Sequence, residues 1–261
     1  MGRAMDYNDY AERYAHTRWA VPWIADPLIA EVERLPPGAM IVDIGCGTGN
    51  YTIALSQALP HYNYHGFDLS ERMLAIAQER CSQISFTRGD ADTQFPYSDE
   101  SCDLAFAVDV IHHIERLNVF FQEAARVLKP RGKLLIVTDS EDNIKNRSLT
   151  RYFPETLGVE LGRYPRLEEL RQEAVSAGLK FSAIQAAEGV IELDGPFVAK
   201  LEEKCSSALR LISSQAHRRG MQTIQRARRR GENWFSCYTV VKYEKFGSEE
   251  PVVHSPRIEA D

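Results

Sequence analysis

Three aspartates of this chain stand where a polar ligand can be bound. Asp43, Asp68 and Asp90 each lie at or just after the end of an apolar run typical of a strand. A carboxylate in the place of Asp68 can accept hydrogen bonds from the two vicinal hydroxyls of a ribose. Asp90 and a neighbouring backbone N–H can bind the amino group and ring nitrogen of an adenine. Ser70 is available to cap the next helix, which leaves Asp68 for a ligand.

A glycine-rich loop follows the first of these aspartates. Gly45, Gly47 and Gly49 alternate with Cys46 and Thr48. Without a Cβ atom, glycine lets the backbone turn sharply and approach a ligand closely. The G-x-G-x-G spacing differs from the G-x-G-x-x-G of dinucleotide-binding proteins, and no Gly-Lys-Ser/Thr follows as in a Walker A loop. The loop therefore predicts contact with a ligand, although its spacing is not that of the loops that bind the phosphates of dinucleotides or nucleoside triphosphates.

The elements that must position these residues alternate between strand and helix, which predicts an α/β fold with a parallel sheet. Strands are predicted at Met40–Ile44, Tyr62–Phe67, Ile84–Arg88, Cys102–Val108, Lys133–Val137, Lys180–Ala186 and Phe235–Tyr243. Helices are predicted at Asn50–Leu59, Glu71–Cys81, Leu117–Val127 and Leu167–Ala177, with one long helical region at Phe197–Arg230. Ligands bind at the carboxyl edge of such a sheet, where the three aspartates and the glycine loop are expected to meet.

Composition limits the possible partners. The 261 residues carry a net charge of −6, which argues against nucleic acid as the main partner. The five cysteines are scattered and include no C-x-x-C pair, so we expect no disulfide framework, no metal site and a reducing, cytoplasmic setting. No apolar run is long enough for a membrane span, and the first residues do not resemble a secretory signal.

The order and spacing of these motifs resemble the class I S-adenosylmethionine-dependent methyltransferases, in particular the small-molecule branch called methyltransferase type 11. The resemblance covers about residues 39–137. Its further motifs are Phe95-Pro96-Tyr97-Ser98-Asp99, the stretch from Phe106 to Ile114 and the stretch from Ala125 to Leu134, in which Arg131 replaces the usual first glycine of a turn. It implies a Rossmann-like, doubly wound, seven-stranded and mostly parallel sheet with an N-terminal cap helix and a late helical insert.

The expected organisation is a single domain over residues 1–246. The cap would occupy about residues 1–35, the cofactor-binding core about 39–140 and the acceptor-side insert about 189–231. Residues 247–261 contain two prolines and several charges, and we expect them to be disordered. The protein is expected to be a monomer or a homodimer.

The resemblance also implies which residues bind S-adenosyl-L-methionine. The glycines would pass its amino acid and ribose portions, Asp43 would steer the loop and bind the methionine ammonium through water, and Arg18 would pair with its carboxylate. Leu69 or Met73 would pack on the adenine, and Val108 would lie near the sulfonium. The cofactor-binding candidates are Arg18, Asp43, Gly45, Cys46, Gly47, Gly49, Asp68, Leu69, Met73, Asp90, Ala91 and Val108.

The catalytic candidates are His113, Asp109, His16 and Tyr14, because a base helps if the methyl acceptor is a phenol or a protonated amine. Tyr7, Tyr10, Tyr14 and Arg18 fall on one side of a helix, which fits either a cap over the cofactor or an amphipathic helix packed on the sheet edge. We interpret the chain as an enzyme that transfers a methyl group to an N or O atom of a small molecule by in-line displacement.

Two alternatives remain open. Residues 200–230 contain nine lysines and arginines against two glutamates, a local charge of +7, which suits either a solvated helix face or a tRNA or rRNA substrate. Base-amino methyltransferases carry an Asn/Asp-Pro-Pro-aromatic tetrad after the fourth strand, whereas this chain has Val108-Asp109-Val110-Ile111 there. A cofactor-binding partner without catalytic activity is the second alternative.

Overall fold

A seven-stranded sheet forms the centre of the protein in the computed structural model, which describes residues 10–247. The strand order is β3-β2-β1-β4-β5-β7-β6. The strands are β1 (Met40–Ile44), β2 (Asn63–Asp68), β3 (Ser85–Arg88), β4 (Cys102–Val108), β5 (Leu128–Thr138), β6 (Leu179–Glu192) and β7 (Asn233–Lys245). Tyr7 and the tail beyond Gly247 lie outside the described residues.

The first five strands are all parallel, and β7 is inserted antiparallel between β5 and β6. The sheet order reverses at β1, since β2 lies on one side of it and β4 on the other. The predicted fold class, a doubly wound and mostly parallel seven-stranded sheet, is therefore confirmed. In such sheets the reversal point opens a crevice at the carboxyl ends of the strands.

Twelve helices among residues 10–247 cover the sheet and its edges. They are α1 (Ala11–Thr17), α2 (Pro22–Val32), α3 (Asn50–Ala58), α4 (Glu71–Arg80), α5 (Leu117–Val127), α6 (Glu141–Asn146), α7 (Ser148–Tyr152), α8 (Thr156–Leu161), α9 (Leu167–Ser176), α10 (Gly195–Glu202), α11 (Ser207–Leu211) and α12 (Ser214–Arg229). The predicted cap at Ser70 is present, because its hydroxyl accepts a hydrogen bond from the backbone N–H of Met73 at 3.2 Å.

Two apolar cores flank the sheet. On one face, Phe120 and Phe121 of α5 and Leu170 of α9 pack against β1, β4 and β5. On the other face, Leu28 of α2 and Leu55 of α3 pack against the opposite side chains of the same strands. Both faces are buried, which is why these strands are continuous apolar runs.

The prediction for the late part of the chain was wrong in two respects. Strand β6 continues to Glu192, so the insert begins after that residue and not at residue 189. The region predicted as one long helix is divided into α10, α11 and α12. Lys204 adopts a left-handed conformation (φ 57°) at the first break, and the Ser213 hydroxyl caps α12 at the second.

Helices α6 to α8 were not predicted. They are five or six residues long, too short for a helical period to stand out in the sequence. Together with α10 to α12 they form a third apolar core around Phe153, Leu209 and Trp234. This core lies beside the sheet and builds the wall of the second cavity described below.

Candidate active site

The glycine loop turns between β1 and α3 and is fixed by its hydrogen bonds to β2. The backbone N–H of Cys46 donates to the carbonyl of Phe67 at 3.0 Å, and that of Gly47 donates to Oδ2 of Asp68 at 2.9 Å. Gly45 and Gly47 both have positive φ angles. A Cβ atom on Gly45 would lie 2.7 Å from the side chain of Val110, so this turn admits glycine alone.

Asp68 is held between this loop and the start of α4. Its Oδ1 accepts a hydrogen bond from the backbone N–H of Ser70 at 2.8 Å. Burial raises the pKa of Asp68, although these backbone N–H groups oppose the shift. Each carboxylate oxygen has two lone pairs, so both can still accept a hydrogen bond from a ligand hydroxyl. Asp90 is fixed in a similar way, because its Oδ1 accepts from the N–H of Asp92 at 2.9 Å.

A cleft of about 1120 Å³ lies at the carboxyl edge of the sheet, over β1, β2 and β4. Nine of the twelve cofactor-binding candidates line it, together with the catalytic candidates Tyr14, Asp109 and His113. The nine are Arg18, Gly45, Gly47, Asp68, Leu69, Met73, Asp90, Ala91 and Val108. The structure therefore brings most of the predicted site into one space, the cofactor cleft.

Asp43 and Cys46 lie behind the glycine loop, where they line a smaller cavity beside the cleft. Asp43 is buried and accepts a hydrogen bond from the Thr52 hydroxyl at 2.6 Å. Burial, with a smaller contribution from the charge of Asp68, raises the pKa of Asp43 to about 8. Gly49 does not reach these spaces, since a Cβ atom there would meet Phe86 and Ala77.

Asp109 lies at the end of β4, where the cofactor cleft meets a second cavity described below. It has a left-handed backbone (φ 58°), which is unusual for a residue other than glycine and marks a constrained position. The Tyr164 hydroxyl donates to its Oδ1 at 2.6 Å, and the Arg18 guanidinium lies 4.0 Å from its Oδ2. Although burial opposes ionisation, His112, Arg18 and Tyr164 together lower the pKa of Asp109 to about 2. It is therefore a carboxylate at neutral pH.

His113, His112 and His16 differ in burial and in position. Burial, helped by Arg163, lowers the pKa of His113 to about 4, so its ring is neutral at pH 7. His112 stacks on Tyr164 with the ring centres 4.3 Å apart, and burial lowers its pKa as well. His16 is exposed on α1 and does not line the cavities described here. The structure does not bring His16 together with the other candidates.

A second cavity of about 880 Å³, the aromatic chamber, adjoins the cofactor cleft. Arg18, Asp109, Cys205 and Ser207 line both spaces. The chamber walls come from residues 17–24 of α1, α2 and the segment between them, from α7, α8 and α10, and from the start of β7. Its remaining lining residues are Thr17, Trp19, Val21, Trp23, Ile24, Tyr51, Arg147, Leu149, Glu160, Tyr164, Ile191, Phe197, Leu201, Ser206, Trp234, Phe235, Ser236 and Tyr238.

Sequence reasoning missed a buried ion cluster at the chamber wall. Arg147 makes charged hydrogen bonds to Asp139 at the end of β5 and to Glu160 of α8. All three side chains are buried, and burial raises the pKa of Asp139 to about 7. No local motif marks these residues, because they meet only through the packing of α7 and α8. The lining residues Trp23, Tyr51 and Tyr238 were missed for the same reason.

Comparison with known proteins agrees with this geometry. Residues 42–136 match the family model described as a methyltransferase domain. The chain superimposes on a crystal structure described as a methyltransferase from an antibiotic biosynthesis pathway of Anabaena variabilis. The TM-score is 0.69 at 21% identity, over 88% of this chain and all of the other. Residues 42–136 therefore carry a methyltransferase domain, and the fold is the one seen in the Anabaena variabilis structure.

The chain is also similar to two curated methyltransferases. One is the tRNA (carboxymethyluridine(34)-5-O)-methyltransferase ALKBH8 of Mus musculus, 36% identical over 54% of this chain and 20% of the relative. The other is the malonyl-[acyl-carrier protein] O-methyltransferase of Methylococcus capsulatus, 33% identical over 45% of this chain and 44% of the relative. The chain thus matches less than half the length of either one.

Within residues 10–247, no three His, Cys, Asp or Glu side chains are placed to share a metal ion. No described helix is both long and apolar enough to cross a membrane. All five cysteines are free thiols, and four of them are buried.

Proposed function

We propose that this protein binds S-adenosylmethionine in the cofactor cleft and methylates an N or O atom of a small molecule held in the aromatic chamber. The observation that carries this proposal is the meeting of the two cavities at Arg18 and Asp109. A methyl group transferred in line must pass from one ligand to the other across such a junction. When bound, S-adenosylmethionine supplies the methyl carbon, and S-adenosylhomocysteine is the second product.

The residues of the cleft fit this cofactor by shape and by charge. The space above Gly47 is open to a ligand, since a Cβ atom there would approach only Tyr14, at 3.7 Å. Asp68 and Asp90 line the cleft, and in this proposal they accept hydrogen bonds from the ribose and the adenine. Asp43 lies behind the loop, where its carboxylate would favour a cationic ligand. Arg18, whose Nε has no hydrogen-bond partner, is placed to bind the methionine carboxylate.

Positioning contributes more to this reaction than acid–base chemistry. His113, with a pKa of about 4, and Asp109, with a pKa of about 2, are both weak bases at pH 7. Holding the acceptor atom in line with the methyl carbon can account for roughly 7–11 kcal/mol of the barrier. In the proposed arrangement Tyr14 and Asp109 orient the acceptor, and the cap excludes water from the junction.

Replacement of Asp68 tests the cofactor site. Asp68→Ala is expected to weaken binding of S-adenosylmethionine by about 1.5–3 kcal/mol, the scale of a hydrogen bond to a charged group. Isothermal titration calorimetry measures this, and thermal unfolding checks that the variant is folded. Asp68→Asn keeps the shape of the side chain and should lose affinity too. Asp99→Ala, at an exposed carboxylate paired with Arg126, is the matched control. Unchanged affinity in both Asp68 variants would remove this residue from the site.

An RNA acceptor is the second candidate, and the surface of α12 favours it. Arg218, Arg226 and Arg229 lie on its exposed face without an ion-pair partner among the described residues. Their neighbours Arg219 and Arg230 pair with Glu155 and Glu232. One relative of the methyltransferase domain is named for its action on tRNA. A row of arginines of this kind suits contacts to phosphates.

Labelled S-adenosylmethionine separates the two candidates. With bulk tRNA as acceptor, we expect no label in the RNA, and any tRNA binding should weaken steeply between 50 and 200 mM salt because it is electrostatic. With a metabolite extract, we expect label in a low-molecular-weight product. The Arg218→Gln/Arg226→Gln/Arg229→Gln variant should still transfer label to the low-molecular-weight product. Transfer of label to tRNA that the triple variant abolishes would instead establish the RNA candidate.

A further inference from the structure

The aromatic chamber concentrates the large flat side chains of this protein. All three of its tryptophans, Trp19, Trp23 and Trp234, line the chamber, and none of them lines the cofactor cleft. Phe197 adds a further wall, with its ring centre 5.4 Å from that of Trp234 at an angle of 71°. Offset and edge-to-face contacts of this kind favour another planar ring as the ligand.

The charged groups of the chamber are already matched with one another. Arg18 lies beside Asp109, and Arg147 bridges Asp139 and Glu160. In the proposed function Arg18 also binds the methionine carboxylate, so a charged acceptor would find no free counter-ion in the wall, and its desolvation would go uncompensated. These ion pairs favour a ligand without net charge.

Most of the other polar groups of the chamber are hydroxyls. Burial raises the pKa values of Tyr51, Tyr164 and Tyr238 above that of a free phenol, so all three stay protonated. Ser206 and Ser236 add two more hydroxyls to the lining. Hydroxyls both donate and accept hydrogen bonds, which suits a ligand that carries a hydroxyl or carbonyl oxygen.

We propose that the acceptor held in the aromatic chamber is an uncharged, planar aromatic compound bearing a hydroxyl or carbonyl oxygen. This inference rests on the proposed function, because it names the class of acceptor for that site. An aliphatic compound has no flat surface to stack on these rings, and a carboxylate would find no free cation in the chamber wall. Trp19 lies at the rim, where the Lys200 ammonium is 3.5 Å from its ring centre, so its replacement alters the chamber with little effect on the core.

Three probes of one ring size test the proposal by calorimetry in the presence of S-adenosylhomocysteine. The first, 2-naphthol, is planar and uncharged. Decahydro-2-naphthol keeps the hydroxyl but is not planar, and 2-naphthoate keeps the planar ring but is charged. We expect 2-naphthol to bind about three- to tenfold tighter than the saturated alcohol, and about tenfold or more tighter than 2-naphthoate. Binding should also change the tryptophan emission, since all three tryptophans line the chamber.

The location of binding is tested with a pair of variants. Trp19→Leu should weaken 2-naphthol binding severalfold, whereas Phe181→Leu, at an equally exposed aromatic (38% each) outside the chamber, should not. Equal or tighter binding of either comparison probe, no binding of 2-naphthol, or no effect of Trp19→Leu would overturn the proposal. A titration of the unliganded protein from the same preparation with S-adenosylmethionine distinguishes the two proposals, because absence of cofactor binding would contradict the proposed function itself.

Discussion

Replacing Arg147 with Met is expected to lower the free energy of unfolding by about 3–5 kcal/mol at pH 8. The substitution leaves the carboxylates of Asp139 and Glu160 buried without their shared cation. Their pKa values are already raised by burial, and loss of Arg147 would raise them further. Urea unfolding at constant temperature measures the loss.

The pH dependence of this loss identifies its cause. In the folded variant burial favours the protonated form of Asp139, and Glu160 keeps only its ion pair with Arg163, whereas in the unfolded chain both carboxyls ionise near pH 4. Each pH unit between these pKa values therefore costs about 1.4 kcal/mol per group. The loss should be smaller at pH 5 than at pH 8, and Asp139→Asn/Arg147→Met/Glu160→Gln should recover much of it. Arg166→Met, at an exposed arginine paired with Glu141, is the control and should change stability by less than about 0.5 kcal/mol. An equal loss at both pH values would contradict a charge effect.

Replacing Asp43 with Asn is expected to stabilise the unliganded protein at pH 7 by about 2–4 kcal/mol and to weaken cofactor binding. The folded protein holds this carboxyl protonated, with a pKa of about 8, while the unfolded chain ionises it near 3.8. The wild-type protein therefore loses stability from this group as the pH rises from about 4 to 8. Asparagine has no charge to lose, and its oxygen can still accept the hydrogen bond from Thr52. Unfolding titrations at pH 5, 7 and 8 compare the two proteins.

The same carboxyl links cofactor binding to proton release. A cationic ligand favours the ionised form, so binding should expel a proton at pH 7, and affinity should rise between pH 6 and 8. Calorimetry in two buffers of different ionisation enthalpy measures the protons released. Asp43→Asn should release fewer protons, and Asp142→Asn, at an exposed carboxylate, should behave like the wild-type protein. A variant that is less stable than the wild type would refute this account of Asp43.

Local signals were sufficient for the first half of the fold. Strands β1 and β4 are short, largely apolar runs bounded by turns, and the capping serine and the glycine loop mark where α4 and α3 begin. In the second half these signals are weak. Most side chains of β6 are exposed or half-buried, so its pattern does not reveal that the strand continues past Gly189. At that glycine, the indole of Trp23 packs where a Cβ atom would stand.

The cofactor cleft was largely predictable because its residues follow consecutive strands. The aromatic chamber was not, because its walls come from elements far apart in the sequence. Tyr164 illustrates the difference, since its hydroxyl reaches Asp109 across 55 positions of the chain. His16 shows the opposite error. Its residue type suited catalysis, but the turn of α1 leaves it in solvent.

The pair formed by Arg18 and Asp109 lines the cofactor cleft, the aromatic chamber and the small cavity behind the glycine loop. Two ligands that contact the same ion pair cannot bind independently of each other. Whatever factor the first ligand contributes to the affinity of the second, the second returns to the first, because their coupling is a single free energy. A ligand in either space is therefore expected to change the affinity of the other space through one contact, between the segment that joins α1 to α2 and the end of β4.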